Sequence, residues 1–330
     1  MPTRIFVTRH IPSPGIELLR SMPNIIVDVF TGSGIIPRKE LLTRIVGADI
    51  LLSILTDTID ADVMDAAGPS LKMIANYGVG FDNIDGAEAK KRGIIVTNAP
   101  TPESNAAVAE HTIALMFAVA KRIVETDCFL RGGNYTGWGP ELLLGADICG
   151  KTLGIIGSGA IGSDVARRMK HGFDMRIVYT DLKPNPTFEA EVGAEFMSRD
   201  SVLQESDIVS LHVPLLPSTT HLIDATALAM MKPNAILINT ARGAIVDTVA
   251  LVDALENRII AGAGLDVFEG EPNLARTPVL ADRLRNLKNV ILTPHTGSAT
   301  FSARTAMSRQ VVKNIEEFLA GEVPVNAVML

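Results

Sequence analysis

The chain has 330 residues, a length that at roughly 150 residues per domain provides for about two domains, each able to bury its own core. Hydrophobic residues make up 47%, charged residues 20% and aromatics 5%, which excludes both a disordered chain and a disulfide scaffold. Thirty Lys and Arg against thirty-seven Asp and Glu leave a net charge of −7, and no dense basic run could track a phosphate backbone, so nucleic acid is excluded as an expected partner.

Cys128 and Cys149 stand in neither metal-ligand nor redox spacing and read as two ordinary packed thiols of a reducing compartment. The opening run from Met1 to Thr8 is strand-like and lacks the apolar centre of a signal peptide. The stretch from Ile113 to Ala120 is too short to span a bilayer. The expectation is a cytoplasmic protein without membrane or metal partners.

Short runs rich in Ile, Val and Leu recur in the first hundred residues, at 5–7, 25–29, 50–52, 73–75 and 94–96, and each reads as a buried strand. Helical stretches at 15–20, 38–46 and 61–66 lie between them, the alternation of a parallel sheet covered on both faces. Asp85 is a candidate N-cap with Glu88 three residues on and Gly93 as the stop. The segment Ala99-Pro100-Thr101-Pro102 breaks the pattern and marks a domain boundary. Beyond it, Asn105 to Arg131 has no interior proline and predicts one long helix. Gly132 to Gly150, with the lone Trp138, predicts an irregular arm. A second alternating series runs from Leu153 to Leu292, and 298–320 reads as another long helix.

Within that series the apolar run Leu153 to Ile156 leads at once into Gly157-Ser158-Gly159-Ala160-Ile161-Gly162 and then a helix. The first glycine of a G-x-G-x-x-G permits a tight turn, the second lets backbone approach a pyrophosphate, and the third lets helix pack on strand. A further strand, Met175 to Tyr179, is closed by Asp181, which stands 19 residues past the last glycine, the spacing of the acid that binds ribose hydroxyls. A carboxylate there repels a 2′-phosphate, so NAD(H) is expected over NADP(H); Lys183 nearby softens that preference.

Three later segments end apolar strands with polar groups, where a doubly wound sheet places its ligands: Ile236 to Gly243, Ala263 to Pro272 and Val290 to His295. They carry Arg242, Glu271 and His295. Arg can fork a carboxylate and polarise an adjacent carbonyl, His⁺ can protonate a developing alkoxide, and Glu can hold the imidazole in one tautomer. Glu269 is the nearest rival to Glu271 and reads as the more solvated of the two. The other five histidines, His10, His111, His171, His212 and His221, read as structural or surface groups. Asp82 and Asp85 are explained by a turn and a helix cap rather than a metal site.

Gly78-Val79-Gly80-Phe81-Asp82-Asn83-Ile84-Asp85, the fingerprint from Gly157, Asn239-Thr240-Ala241-Arg242-Gly243, Leu265 to Pro272 and Pro294-His295-Thr296-Gly297 together resemble the D-isomer-specific 2-hydroxyacid dehydrogenases along essentially the whole chain. The resemblance implies two doubly wound parallel-sheet α/β domains, a Rossmann NAD-binding domain over 102–296 with an arm at 125–150, and a flavodoxin-like substrate domain from 1–101 rejoined by 297–330. It implies Arg242, Glu271 and His295 as the catalytic set. Asp266 would face the nicotinamide carboxamide, and Pro214, Thr219, Thr240, Ala241 and Gly297 would add cofactor contacts. Backbone at Val79 and Gly80 would hold the substrate carboxylate.

Ile74 to Gly80 and Trp138-Gly139-Pro140 look most like glyoxylate and hydroxypyruvate reductases, which adds Tyr77 and Trp138 to the substrate set, Trp138 either reaching a neighbouring subunit's site or anchoring the interface of a homodimer joined through the arm. The implied reaction is NADH-dependent reduction of a small 2-oxo acid to the D-2-hydroxy acid. The alternatives are action on another acid, such as D-lactate or 3-phosphoglycerate, and a non-catalytic NAD-sensing dimer.

Overall fold

The computed structural model describes residues 2–271 and 278–329, and Pro272 of the acidic motif lies outside them. The chain divides into two compact units, Met1–Ser104 with Ala299–Leu330, and Asn105–Ser298. The first unit carries strands β1 (Thr3–Val7), β2 (Ile25–Val29), β3 (Ile50–Ile54), β4 (Met73–Tyr77) and β5 (Ile95–Thr97), all parallel, in the order β2-β1-β3-β4-β5. Helices α1 (Gly15–Ser21), α2 (Arg38–Arg44), α3 (Ala61–Ala67) and α4 (Gly86–Lys91) make the crossovers. Strand side chains alternate between two cores, as a sheet covered on both faces requires: Ile5 and Val7 pack with Met307, Val311 and Ile315 of the C-terminal helix, while Phe6 and Leu51 pack with Ile45 and Val63. Asp60 and Asp85 cap their helices by accepting from Val63 N and Glu88 N, the role read for Asp85 from spacing.

The second unit holds α5 (Pro102–Ala120, whose first turn lies in the first unit), α6 (Ile123–Arg131), β6 (Thr152–Ile156), α7 (Ala160–Phe173), β7 (Arg176–Thr180), α8 (Pro186–Val192), β8 (Glu195–Phe196), α9 (Arg199–Glu205), β9 (Ile208–Leu211), α10 (Ala225–Met230), β10 (Ile236–Asn239), α11 (Thr248–Glu256), β11 (Gly262–Leu265), α12 (Pro278–Asn286) and β12 (Val290–Leu292). The seven strands are parallel in the order β12-β11-β10-β9-β6-β7-β8. Strand order reverses between β6 and β9, so ligands belong at the carboxyl ends there. Helix α13 (Phe301–Leu319) returns the chain to the first unit.

Three expectations are corrected. The single helix over 105–131 is two: Arg122 turns left-handed at φ 54°, its guanidinium clamps Glu125 through two 2.8 Å bonds, and the Ala120 carbonyl accepts from Ala146 N of the arm. No Gly or Pro marks that break, so helix propensity runs straight through it. The helix also starts at Pro102 rather than Asn105, because Thr101 and Ser104 exchange side-chain and backbone hydrogen bonds as a capping box and proline tolerates the first turn. Finally, both cysteines are exposed, Cys128 on α6, which buries no residue, and Cys149 at the end of the arm. No helix among the described residues is long and apolar enough to cross a membrane.

Candidate active site

β6 delivers the chain into Gly157, whose φ of 100° only glycine adopts readily, and a Cβ there would sit 2.7 Å from the His212 carbonyl oxygen. Burial pushes the His212 imidazole down to about 4, so the strand end beneath this turn is neutral. Gly159 has extended backbone and an added Cβ would meet nothing within 4 Å, so the space over it is open. It caps α7 without a side-chain acceptor, which leaves the first-turn amides of that helix for an outside anion. Ser158 N and Oγ donate to Asp181 Oδ2 at 2.7 and 2.8 Å, and Leu182 N donates to Oδ1 at 2.7 Å. Burial alone would raise the Asp181 carboxyl, but these three bonds outweigh it and hold it below its ordinary value. The carboxylate therefore ties the glycine turn to the end of β7 and keeps lone pairs for a ribose hydroxyl. An open cradle, free helix amides and a strand-end acid fit a dinucleotide.

The carboxyl ends of β10, β11 and β12 bring the three chemical residues onto adjacent strands. His295 is left-handed at φ 54°, and its Nδ1 meets Glu271 Oε2 at 2.7 Å, while Glu271 Oε1 accepts from Phe268 N at 2.6 Å. An ionised carboxylate can only accept, so Nδ1 carries the proton and Nε2 stays outside this contact. Arg242 projects from a turn braced by buried Asn239, which donates to the Arg242 carbonyl at 2.9 Å and accepts from Ala241 N at 3.0 Å. Its neighbour Gly243 packs so tightly on the Phe268 carbonyl that any Cβ would collide, and this close approach sets the arginine turn against the Glu271 loop. Glu269 does not compete with Glu271, because its carboxylate engages the exposed His221 at 2.9 Å.

Asp266, only 2% exposed, accepts from Thr293 Oγ1 at 2.6 Å, Thr296 N at 2.8 Å and Gly297 N at 2.8 Å, with His111 Nε2 3.3 Å away. It thus braces the chain around His295. His111, Thr293 and Asn239 were not singled out by sequence reasoning; they are ordinary residue types whose meeting depends on the fold.

Thr240 Oγ1 bonds Thr112 Oγ1 at 2.8 Å beside half-buried Ala241, and exposed Pro214 shares a loop with Thr219, whose hydroxyl donates to the Pro214 carbonyl at 2.7 Å. Val79 and Gly80 lie in the loop after β4, Val79 half-buried at its tip. Tyr77 does not present its phenol to a ligand. It is 5% exposed in the first unit's core and donates to the Arg304 carbonyl of α13 at 2.9 Å, because the inward-facing last position of β4 is filled by packing. Trp138 is 82% exposed on the arm.

The fold and the strand-end groups define a dinucleotide-dependent oxidoreductase with a histidine–carboxylate pair. Residues 113–297 match the family model of the D-isomer specific 2-hydroxyacid dehydrogenase NAD-binding domain, and the chain belongs to that family. It is 47% identical over 332 residues to a protein named glyoxylate reductase from Thermococcus litoralis, covering 99% of this chain and 97% of that one. A crystal structure of a Thermus thermophilus protein superposes with a TM-score of 0.89 at 43% identity, covering 99% and 100% of the two chains. An NADPH-dependent glyoxylate/hydroxypyruvate reductase from Sinorhizobium meliloti, in complex with NADP and malonate, superposes with a TM-score of 0.83 at 31% identity, covering 99% and 97%. The cofactor is a nicotinamide dinucleotide, the substrate is a small 2-oxo or 2-hydroxy acid, and the protein is a D-2-hydroxyacid dehydrogenase.

Proposed function

We propose that this chain reduces glyoxylate, and hydroxypyruvate as a second small 2-oxo acid, with NADH. The observation that carries this reading is the 2.7 Å His295–Glu271 pair on strands adjacent to the Arg242 turn, in a chain 47% identical to a protein named glyoxylate reductase. The dihydronicotinamide, when bound, supplies hydride to the carbonyl carbon. Arg242 forks the substrate carboxylate and draws electron density toward the carbonyl oxygen. His295 gives that oxygen its proton from Nε2, and Glu271 stabilises the imidazolium and keeps the ring turned. The amides of Val79 and Gly80 serve as the carboxylate anchor of the first unit. Following NADH oxidation with glyoxylate, hydroxypyruvate, pyruvate, 2-oxoglutarate and phosphohydroxypyruvate tests the reading. Background rates with every acid alongside tight NADH binding would replace it with a binding function.

NADH is favoured over NADPH because Asp181 meets the ribose as a carboxylate held below its ordinary pKa, which a 2′-phosphate cannot approach without strong repulsion. Asp181→Ala is expected to cut kcat/KM for NADH about tenfold, roughly 1.4 kcal/mol, and to narrow the NADH to NADPH ratio. An unchanged ratio would remove Asp181 from cofactor choice.

The arm supports self-association. Ile123, Val124, Leu130, Tyr135, Trp138 and Leu144 are all more than 45% exposed within about twenty residues, a concentration of apolar surface that a second copy would cover. Light scattering should give about twice the 35.2 kDa chain mass, and Trp138→Ala should weaken the dimer. A monomer at micromolar concentration would overturn the homodimer.

A further inference from the structure

The loop after β4 is held from behind by side-chain amides. The Gly78 carbonyl accepts from Ala99 N at 2.8 Å and the Val79 carbonyl from Asn98 Nδ2 at 2.7 Å, so two successive carbonyls turn toward the same neighbouring segment. The trans peptide plane then points the next N–H of each, Val79 and Gly80, to the opposite side. Among the described residues neither N–H donates to a protein acceptor. Asn76 Nδ2 closes the loop by donating to the Gly80 carbonyl at 2.8 Å.

Both asparagines are held in turn. Asn76, fully buried, accepts from Ser53 Oγ at 3.0 Å and lies 3.4 Å from the Asn83 amide oxygen, while Asn83 Nδ2 donates to the Ile54 and Asp57 carbonyls. Behind Asn98, the fully buried Asn314 of α13 donates to its carbonyl at 2.8 Å, and Asn326 Nδ2 donates to Asn314 Oδ1 at 3.1 Å. Buried amides destabilise a fold unless every partner is supplied, and this network directs its bonds to the carbonyl side of the loop.

We propose that Asn76 and Asn98 are positioning residues that hold the Val79 and Gly80 amides as a rigid two-donor receptor for the substrate carboxylate, with Asn314 and Asn326 stiffening the same receptor from α13 and the chain end. The proposal rests on the reading that these amides anchor a 2-oxo acid. Preorganised donors gain affinity because the loop loses no freedom on binding.

Asn98→Asp and Asn76→Asp keep side-chain volume but set an acceptor against a carbonyl. Each is expected to raise KM for glyoxylate about tenfold while KM for NADH and kcat at saturating acid stay within about twofold, a split that general loss of structure does not give. Oxalate, a non-reducible probe, should shift the amide resonances of Val79 and Gly80 in the wild-type protein. Its inhibition constant should rise with KM in the variants. Unchanged KM for glyoxylate, or equal losses in both KM values, would overturn the proposal. If either variant fails to fold, the wild-type titration decides alone, and unshifted Val79 and Gly80 amides overturn it. A wild-type protein that shows the oxalate shifts but reduces no acid would sink the glyoxylate reading and leave the receptor standing.

Discussion

Replacing His295 by alanine is expected to lower turnover by about two to four orders of magnitude while leaving the fold and NADH affinity in place. The size follows from what is removed, the one group whose Nε2 the Glu271 contact leaves available to protonate the carbonyl oxygen. The backbone at 295 should not move. The left-handed φ of 54° is held by the amide, which bonds the Asp266 carbonyl at 2.9 Å, and alanine bears a left-handed strain similar to that of histidine. Glu271→Gln should fall between the variant and the wild type, since a glutamine can still bond Nδ1 but no longer offsets the charge of the imidazolium. Steady-state kinetics with glyoxylate, circular dichroism and NADH fluorescence titration separate these effects. A His295→Ala protein turning over within about threefold of wild type would remove His295 from proton transfer.

What could be read in advance divides by the range of the interaction. The glycine turn, Asp181 and the Asp85 cap were legible because each is a local rule: a spacing, a helix start, a residue type with one conformational use. The two parallel sheets were legible because buried strands are short apolar runs: the strands legible individually differ from expectation only by a residue or two at their ends, while β8 and β9 were legible only as part of an alternating series. Arg242, Glu271 and His295 were visible as polar ends of apolar strands, but their support was not. Asn239 bonds Arg242 within its own turn, but as an ordinary strand-end asparagine it carries no distinctive signature, while His111 beside Asp266 and Gly243 against Phe268 join segments 155 and 25 positions apart that only the completed sheet brings together. The same limit explains the errors. Arg122 breaks α5 from α6 by its Glu125 clamp and the arm's Ala146, and Tyr77 is claimed by α13, neither of which has a local signature. Glu269 and Glu271, two positions apart in one turn, could be ranked from sequence by solvation, but that His221 engages the first was visible only in the fold.

Asp266→Ala is expected to damage stability and catalysis together, which distinguishes it from His295→Ala. The 2% exposed carboxylate is the shared acceptor of Thr293 Oγ1, Thr296 N and Gly297 N, so truncation leaves the buried Gly297 N and the half-buried Thr296 N without their acceptor, while Thr293 Oγ1 keeps only its 2.9 Å bond with His111 Nε2. At roughly 1–3 kcal/mol for each stranded donor, with partial relaxation, a loss of about 3 kcal/mol is expected. Turnover should fall at least about tenfold, because residues 293–297 lose the tether that holds His295 opposite Glu271. The pH dependence follows from the carboxyl group. Burial would raise its pKa, but the bonds from His111, Thr293, Thr296 and Gly297 prevail and hold it below its ordinary value. A lowered folded-state pKa means stability that is present above the unfolded value and lost as pH falls through the folded one. The gap between wild type and Asp266→Ala should therefore be full at pH 7 and shrink below about pH 4. Urea unfolding at both pH values, beside kcat at pH 7, measures all three effects, and a variant with wild-type midpoint and turnover would show that Asp266 braces nothing.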